Sequence, residues 1–326
     1  MTPVQITAVG HYVPSRKLTN ADLEKIVDTS DEWIVTRTGI KERRIAGEHE
    51  KTSHLAIEAA RQVLHNAKIA ASKIDLIIVA TTSPDSNFPS VACLVQKALG
   101  ARSAIAFDVS AACTGFIYAI SVAHQFLLAK TYKNALVIAA DRLTTMIDWQ
   151  DRNTCVLFGD GAGACLLESG DKKGILAEHL ESYGEYGELM KIIVPETRHP
   201  LKPKHANGVL PYIQMQGPEL FKIAVNSMAD CVEKALEKAK ITISEVACVV
   251  PHQANDRIIS AVAKKLDIPK EKFFINIEKY GNMSAASAAV ALFEAVELGR
   301  IRKGDYAVLV AFGAGLVAGA IVIKWQ

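Results

Sequence analysis

Apolar and polar positions along this chain follow two periods, one helical and one of unbroken apolar runs. From Lys51 to Ile69 (KTSHLAIEAARQVLHNAKI) apolar residues return every three to four positions. One face of a helix is therefore apolar, and Thr52 or Ser53 is placed to open it. The next stretch, Ile74 to Pro84 (IDLIIVATTSP), is a β-branched apolar run of the kind that forms a strand buried on both faces. The alternation then recurs. Ser110 to Ile120 (SAACTGFIYAI) reads as a turn entering a helix, and Asn134 to Ala140 (NALVIAA) as a second buried strand. Helices alternating with such strands predict an α/β fold in which helices cover both faces of the sheets.

Sliding the chain against itself by 172 positions brings long stretches into register without a gap. Ile74–Val79 then lies over Val246–Pro251, Cys113–Ile120 over Ala285–Leu292, and Ala135–Ala139 over Ala307–Ala311. Strand, helix and strand repeat in order, which predicts two similar halves, 1–170 and 171–326, meeting near Ser169-Gly-Asp-Lys-Lys-Gly. Some self-similarity is common to α/β chains, so the competing reading is a single unrepeated unit. If the halves are pseudo-twofold copies, equivalent helix entrances meet near the shared axis. One site can then draw residues from both.

Composition narrows the function more than the fold. The 37 basic and 35 acidic residues of this 326-residue chain leave a formal charge of +2, with no like-charge run of the kind that binds nucleic acid. The amino terminus lacks a basic start followed by an apolar stretch and a cleavage site, and no apolar run reaches membrane-spanning length, so a soluble cytoplasmic protein is expected. Six cysteines, at 93, 113, 155, 165, 231 and 248, lack paired CxxC spacing. Neither a zinc site nor a disulfide framework is expected.

Three residues stand out chemically. Cys113 follows Asp108-Val-Ser-Ala-Ala at a strand-to-helix turn, where free backbone N–H groups and the helix dipole favour a thiolate. A buried thiol acting as a small hydrophobe is the alternative. His252 ends the apolar run Val246–Pro251 and should emerge at the carboxyl edge of a sheet, where α/β proteins place ligands. Asn282, in Tyr280-Gly-Asn-Met-Ser-Ala-Ala-Ser, precedes a small-residue helix and taken alone reads as its cap.

Together, several motifs resemble the β-ketoacyl-acyl carrier protein synthase III family of the thiolase fold. They are Val27-Asp-Thr-Ser-Asp-Glu-Trp-Ile-Val-Thr-Arg-Thr-Gly-Ile, Ala111-Ala-Cys-Thr-Gly-Phe, Phe158-Gly-Asp-Gly-Ala-Gly, Pro251-His-Gln-Ala-Asn, Gly281-Asn-Met-Ser-Ala-Ala-Ser and Phe312-Gly-Ala-Gly-Leu. The resemblance spans nearly the whole chain. It implies a thiolase-like fold of two similar α/β halves related by internal duplication, layered helix/sheet/helix/sheet/helix. It also implies a homodimer with no cofactor, acyl-CoA being a substrate and malonyl-acyl carrier protein the partner.

The same resemblance implies residue roles. Cys113, His252 and Asn282 form the catalytic triad, with an oxyanion hole made by the backbone N–H groups of Cys113 and Gly315. Trp33, Arg37, Arg152, Gly217 and Asn255 hold coenzyme A, and Phe88 reaches across a dimer interface to the acyl pocket. Gln253, Ala254, Asn255, Asp256 and Arg257, with Lys222, Lys264 and Lys265, form a basic lip for the acidic carrier protein, although a solvated helix face explains the lysines equally well. Departures are Met283, where Thr is common, and Val317-Ala318, where Thr-Trp is common. They leave open a related acyltransferase making another 3-oxoacyl product. Two further classes are a nucleotide-dependent oxidoreductase, hinted at by Gly159-Asp-Gly-Ala-Gly although its spacing is not GxGxxG, and a non-catalytic scaffold of the same fold.

Overall fold

The computed structural model describes residues 3–192 and 212–326. In the first half, strands β1 (Val4–Tyr12), β2 (Leu76–Ala80), β3 (Ile105–Val109), β4 (Asn134–Arg142) and β5 (Asp160–Ser169) form a sheet in the order β1-β5-β4-β2-β3. β2 runs parallel to β3 and β4, and β5 antiparallel to β4 and β1. In the second half, β6 (Ile175–Ser182), β7 (Val246–Pro251), β8 (Tyr306–Gly313) and β9 (Val317–Lys324) form a sheet in the order β7-β8-β9-β6. Here β7 and β8 are parallel and the other pairs antiparallel. The counterpart of β3 shrinks to one bridge, Val249 to Phe273.

Among the described residues, seven helices have eight residues or more: α1 (Asp31–Thr38), α2 (Thr52–Ala67), α3 (Val91–Leu99), α4 (Gly115–Leu128), α5 (Gly217–Ala239), α6 (Asp256–Lys265) and α7 (Ala285–Glu297). α2 and α3 cover the outer face of the first sheet, α5 and α6 that of the second, and α4 and α7 lie between the sheets. The apolar runs follow from this layering, because each central strand is buried on both faces. In β4, Ala135, Val137 and Ala139 face the α4/α7 layer, whereas Leu136, Ile138 and Ala140 face α2. In β8, Ala307, Leu309 and Ala311 face the same middle layer, whereas Val308 and Val310 face α5. We propose that 1–170 and 171–326 are duplicated halves, supported by this shared order of strand, helix and strand.

One local expectation is corrected. Lys51, which makes no side-chain cap bond, is the N-cap of α2. Thr52 instead donates to the Ser83 carbonyl, and the Ser53 amide donates to Asp85 at 2.9 Å. A carboxylate from 32 positions along the chain thus meets the free amides that a local hydroxyl was expected to meet.

Candidate active site

After β3 the chain turns through the short 3₁₀ segment Ala112–Thr114 into α4, and Cys113 sits in that turn. Ala112 before it has φ 45°, a left-handed conformation rare for a residue with a Cβ. The end of β8 lies against the same turn, and a Cβ on Gly313 would fall 2.7 Å from the Cys113 amide nitrogen, so only glycine allows that approach. Cys113 is buried, and burial pushes its thiol up to about 12. Burial therefore works against the thiolate that the helix entrance favours.

His252 follows the last residue of β7 and is anchored by its amide, which donates to the Val310 carbonyl at 2.7 Å. The ring is buried, its pKa is lowered by desolvation to about 3, and Nδ1 has no hydrogen-bond partner among the described residues. It is therefore a neutral imidazole. Asn282 lies on the loop before α7, whose N-cap is Ser284. Its backbone is clamped to the loop before β5: Asn282 N donates to Leu157 O at 2.8 Å, and Gly159 N donates to Asn282 O at 3.0 Å. Its side-chain oxygen accepts from the Ser284 amide at 2.8 Å, leaving the NH₂ as the free donor.

Cys113, His252 and Asn282 line one cavity of about 150 Å³ with Phe158, Leu220 and Phe312, and Gly217, Ala254 and Asn255 belong to its wall. A second, apolar cavity of about 180 Å³ adjoins it, sharing Cys113, Phe158 and Met190 and lined also by Thr82, Leu143, Ile213, Ser284 and Ala314. Buried Cys113 thus lines both chambers.

Comparison with known proteins gives the family. Residues 107–184 match the model of 3-oxoacyl-[acyl-carrier-protein (ACP)] synthase III, and residues 236–325 match that of its C-terminal region. The β-ketoacyl-[acyl-carrier-protein] synthase III of Aquifex aeolicus is 50% identical over 322 residues, covering 98% of this chain and 99% of that protein. The chain belongs to the β-ketoacyl-[acyl-carrier-protein] synthase III family. The synthase of that name from Clostridium novyi is also 50% identical, with 100% of both chains covered. The Aquifex crystal structure superposes with a TM-score of 0.92 at 50% identity over 99% of this chain and 100% of that one. The priming β-ketosynthase of the R1128 polyketide pathway gives 0.92 at 32% identity over 100% and 97%. Thiolase-like fold and acyltransferase class follow from this membership.

Seen as a member of this synthase family, the chain brings some expected groups together and separates others. Trp33, Arg37 and Arg152 cluster away from the cavities, the two guanidinium carbons 5.0 and 5.2 Å from the indole centroid. Arg152 also reaches the Asp28 carbonyl at 3.1 Å. Asn255 caps α6 through a bond from the Arg257 amide. Arg257, Lys222 and Lys264 are exposed, whereas Lys265 is paired with Asp230 at 3.2 Å and Asp256 with Lys270.

Gln253 departs from the expected carrier-protein lip. It is 1% exposed, its amide nitrogen donates to Pro251 and Phe274 carbonyls, and its oxygen accepts from the Asn276 amide. All its capacity is spent inside, locking the His252 loop rather than meeting a partner. Gly315 lines neither cavity; Gly313 and Ala314 are the residues of that turn that do. Phe88 is 86% exposed and far from covering either chamber in this single chain.

Two other features find structural roles. The glycine-rich Gly159–Gly163 leads into and along β5, and a Cβ on Gly163 would stand 2.5 Å from the Ala289 Cβ, so this glycine seats α7 on the sheet instead of cradling a phosphate. Met283 is 1% exposed and packs with Tyr280, Ala286 and Val290, outside both chamber walls. Among the described residues one group, His179, Glu181 and Cys231, could gather three metal-ligating atoms, but the Lys234 ammonium already bonds Glu181 and that of Lys238 bonds His179. Among the described residues, no helix is long and apolar enough to cross a membrane.

Proposed function

We propose that Cys113 takes an acyl group from an acyl-CoA primer and that His252 and Asn282 drive its condensation with malonyl carrier protein, the first carbon–carbon bond of a fatty acid chain. The observation that carries this reading is the meeting of a thiol, a neutral imidazole and a free amide NH₂ on one largely apolar cavity. Cys113 sulfur attacks the thioester carbonyl and coenzyme A leaves. Malonyl thioester then enters, and loss of carbon dioxide leaves an electron pair on the α-carbon, delocalised onto the thioester oxygen. A ring N–H of His252 and the Asn282 NH₂ hydrogen-bond that oxygen in a site poor in water, where such bonds are strongest. The carbanion attacks acyl-Cys113, and the 3-oxoacyl product leaves on the carrier. The electron pair comes from the broken carbon–carbon bond, so the reaction calls on no resident cofactor.

In this reading the Trp33, Arg37 and Arg152 cluster holds the nucleotide end of coenzyme A, by stacking and charge. Gly217 and Asn255 flank its pantetheine arm. Arg257, Lys222 and Lys264 offer an exposed basic patch to the acidic carrier protein, and a cytoplasmic setting suits both substrates. A homodimer is part of the proposal: β3 is an edge strand, Ile105 on it is 51% exposed, and Phe88 protrudes nearby.

Mass spectrometry of the intact protein after exposure to a panel of acyl-CoAs tests the reading. The expected result is one acyl mass, mapped to Cys113 and removed by malonyl carrier protein; acyl groups resident on another thiol would overturn it.

The pH dependence follows from the imidazole. Because burial lowers the His252 pKa from 6.5 to about 3, the ring stays neutral as pH falls through the ordinary histidine range and takes a proton only far below it. The rate of malonyl decarboxylation by the acylated enzyme should therefore be flat between about pH 5 and pH 8. A titration of that rate centred near 6.5 would show instead that the ring ionises freely.

A further inference from the structure

Arg43, on the short strand Glu42–Arg44, is the largest side chain among the described residues to be shut off completely from solvent. Burial lowers its pKa only to about 10, so it is a cation at neutral pH. Its three hydrogen-bond partners are all uncharged, and the neighbouring Glu42 is taken by Lys17 and Arg44. Burying a cation without an opposite charge is costly, so a guanidinium kept there is expected to do something an apolar side chain cannot.

What it does is hold three distant pieces of chain on one rigid fork. Nη1 donates to the Leu18 carbonyl at 3.1 Å and to Asn20 Oδ1 at 2.8 Å, and Nη2 donates to the Val156 carbonyl at 2.7 Å. Asn20 carries the hold onward, because its buried amide nitrogen donates to Asp31 Oδ1 at 2.7 Å and to the Ile40 carbonyl at 2.8 Å. Asp31 opens α1, the helix of Trp33 and Arg37, and Ile40 follows its Gly39 C-cap. Val156 is the C-cap of the four-residue helix Arg152–Cys155. Arg43 therefore grips both ends of α1 through Asn20, and the segment of Arg152 directly. The two segments also share apolar contacts through Ile34, Cys155 and Val156, but such contacts are non-directional, whereas the hydrogen bonds fix separation and rotation.

We propose that Arg43 is the positioning residue of the coenzyme A clamp, setting α1 and the Arg152 segment at the spacing at which Trp33, Arg37 and Arg152 close on the nucleotide. Arg43 itself touches no substrate. The inference rests on the reading that those three side chains hold the nucleotide. Lysine is the telling replacement. Its stem can follow the same path beside Gly159 and Gly281, where a Cβ would stand 3.2 Å from the Arg43 Cβ, but a single ammonium cannot reproduce the planar fork between Asn20 and Val156.

The test is single-turnover acylation of the full chain by acetyl-CoA and by acetyl-pantetheine, which presents the same thioester without the nucleotide. Arg43→Lys should raise the half-saturating acetyl-CoA concentration about tenfold, the effect of one lost hydrogen bond, and leave the saturated rate within about twofold. Its kinetics with acetyl-pantetheine should match the parent. Asn20→Ala cuts the path to α1 yet leaves the guanidinium its Leu18 and Val156 carbonyls, so it should behave alike, and it decides the question alone if Arg43→Lys does not fold. Equal losses with the two thioesters would mark a general disturbance and overturn the proposal, as would parent kinetics with both. Trp33→Ala, measured alongside, keeps the two failures apart. If it too leaves acetyl-CoA use unchanged, the clamp reading fails; if it weakens acetyl-CoA alone while Arg43→Lys and Asn20→Ala do not, the clamp stands and only the role of Arg43 falls.

Discussion

Cys113→Ala is expected to lose acyl transfer entirely while remaining folded. The substitution removes one sulfur from a turn whose backbone is fixed on other grounds, by the Gly313 approach and the entrance of α4, so the loss in stability should be small. No other thiol is positioned to substitute. Burial pushes Cys155 and Cys248 up to about 11 and Cys231 to about 12, and raises Cys165 also; none of them lines either chamber. Cys93 is exposed on α3, with its thiol directed to the Ala106 carbonyl. Acidity does not single out Cys113, since burial raises its thiol as well. Access does. Circular dichroism should match the parent, and intact mass after acyl-CoA should show no adduct; stable labelling of Cys93 or another thiol would refute the assignment.

His252→Ala and Asn282→Ala should fail later in the cycle. Each removes one donor set before charge develops on the malonyl thioester oxygen, a loss that typically costs about 10²–10³ in rate. Both variants should still accumulate acyl-Cys113, because neither side chain is needed to expel coenzyme A. They should release carbon dioxide from malonyl carrier protein at least about a hundredfold more slowly. A quenched time course separates this from a protease-like pair in which His252 activates the thiol. In that case acylation would be slowed as severely as decarboxylation, and the division of labour would be lost.

The layers of the fold were legible because central strands buried on both faces leave continuous apolar runs, and the β4 and β8 runs coincide at the repeat offset. The meeting of Cys113, His252 and Asn282 at one cavity was legible through motifs that fall at strand ends and helix entrances. Other properties depend on distant chain and were not. Gln253 sits between His252 and Ala254 in a motif that invites a surface role, yet its direction is set by Pro251, Phe274 and Asn276. The state of the Cys113 thiol depends on how completely it is covered, which local spacing does not encode. Asp141 follows the apolar run Asn134–Ala140 and belongs to no motif read from the sequence. Only the packing at the ends of β2 and β4 shows that its Oδ2 has no hydrogen-bond partner among the described residues.

The seating of α7 on β5 at Gly163 has a consequence for how this enzyme can diversify. Helix and strand already meet there with no more than the Ala289 methyl between them. Ser284 at the head of that helix is therefore fixed in depth, and with it the floor of the chamber behind Cys113. New primer preferences cannot arise by sinking the helix deeper. They must come from exchange of chamber residues carried by other elements, such as Leu143, Met190 and Ile213. If that chamber takes the primer's acyl group, substrate range is free to drift in lineages, or to be redirected in the laboratory, through these residues while Cys113, His252 and Asn282 stay in place.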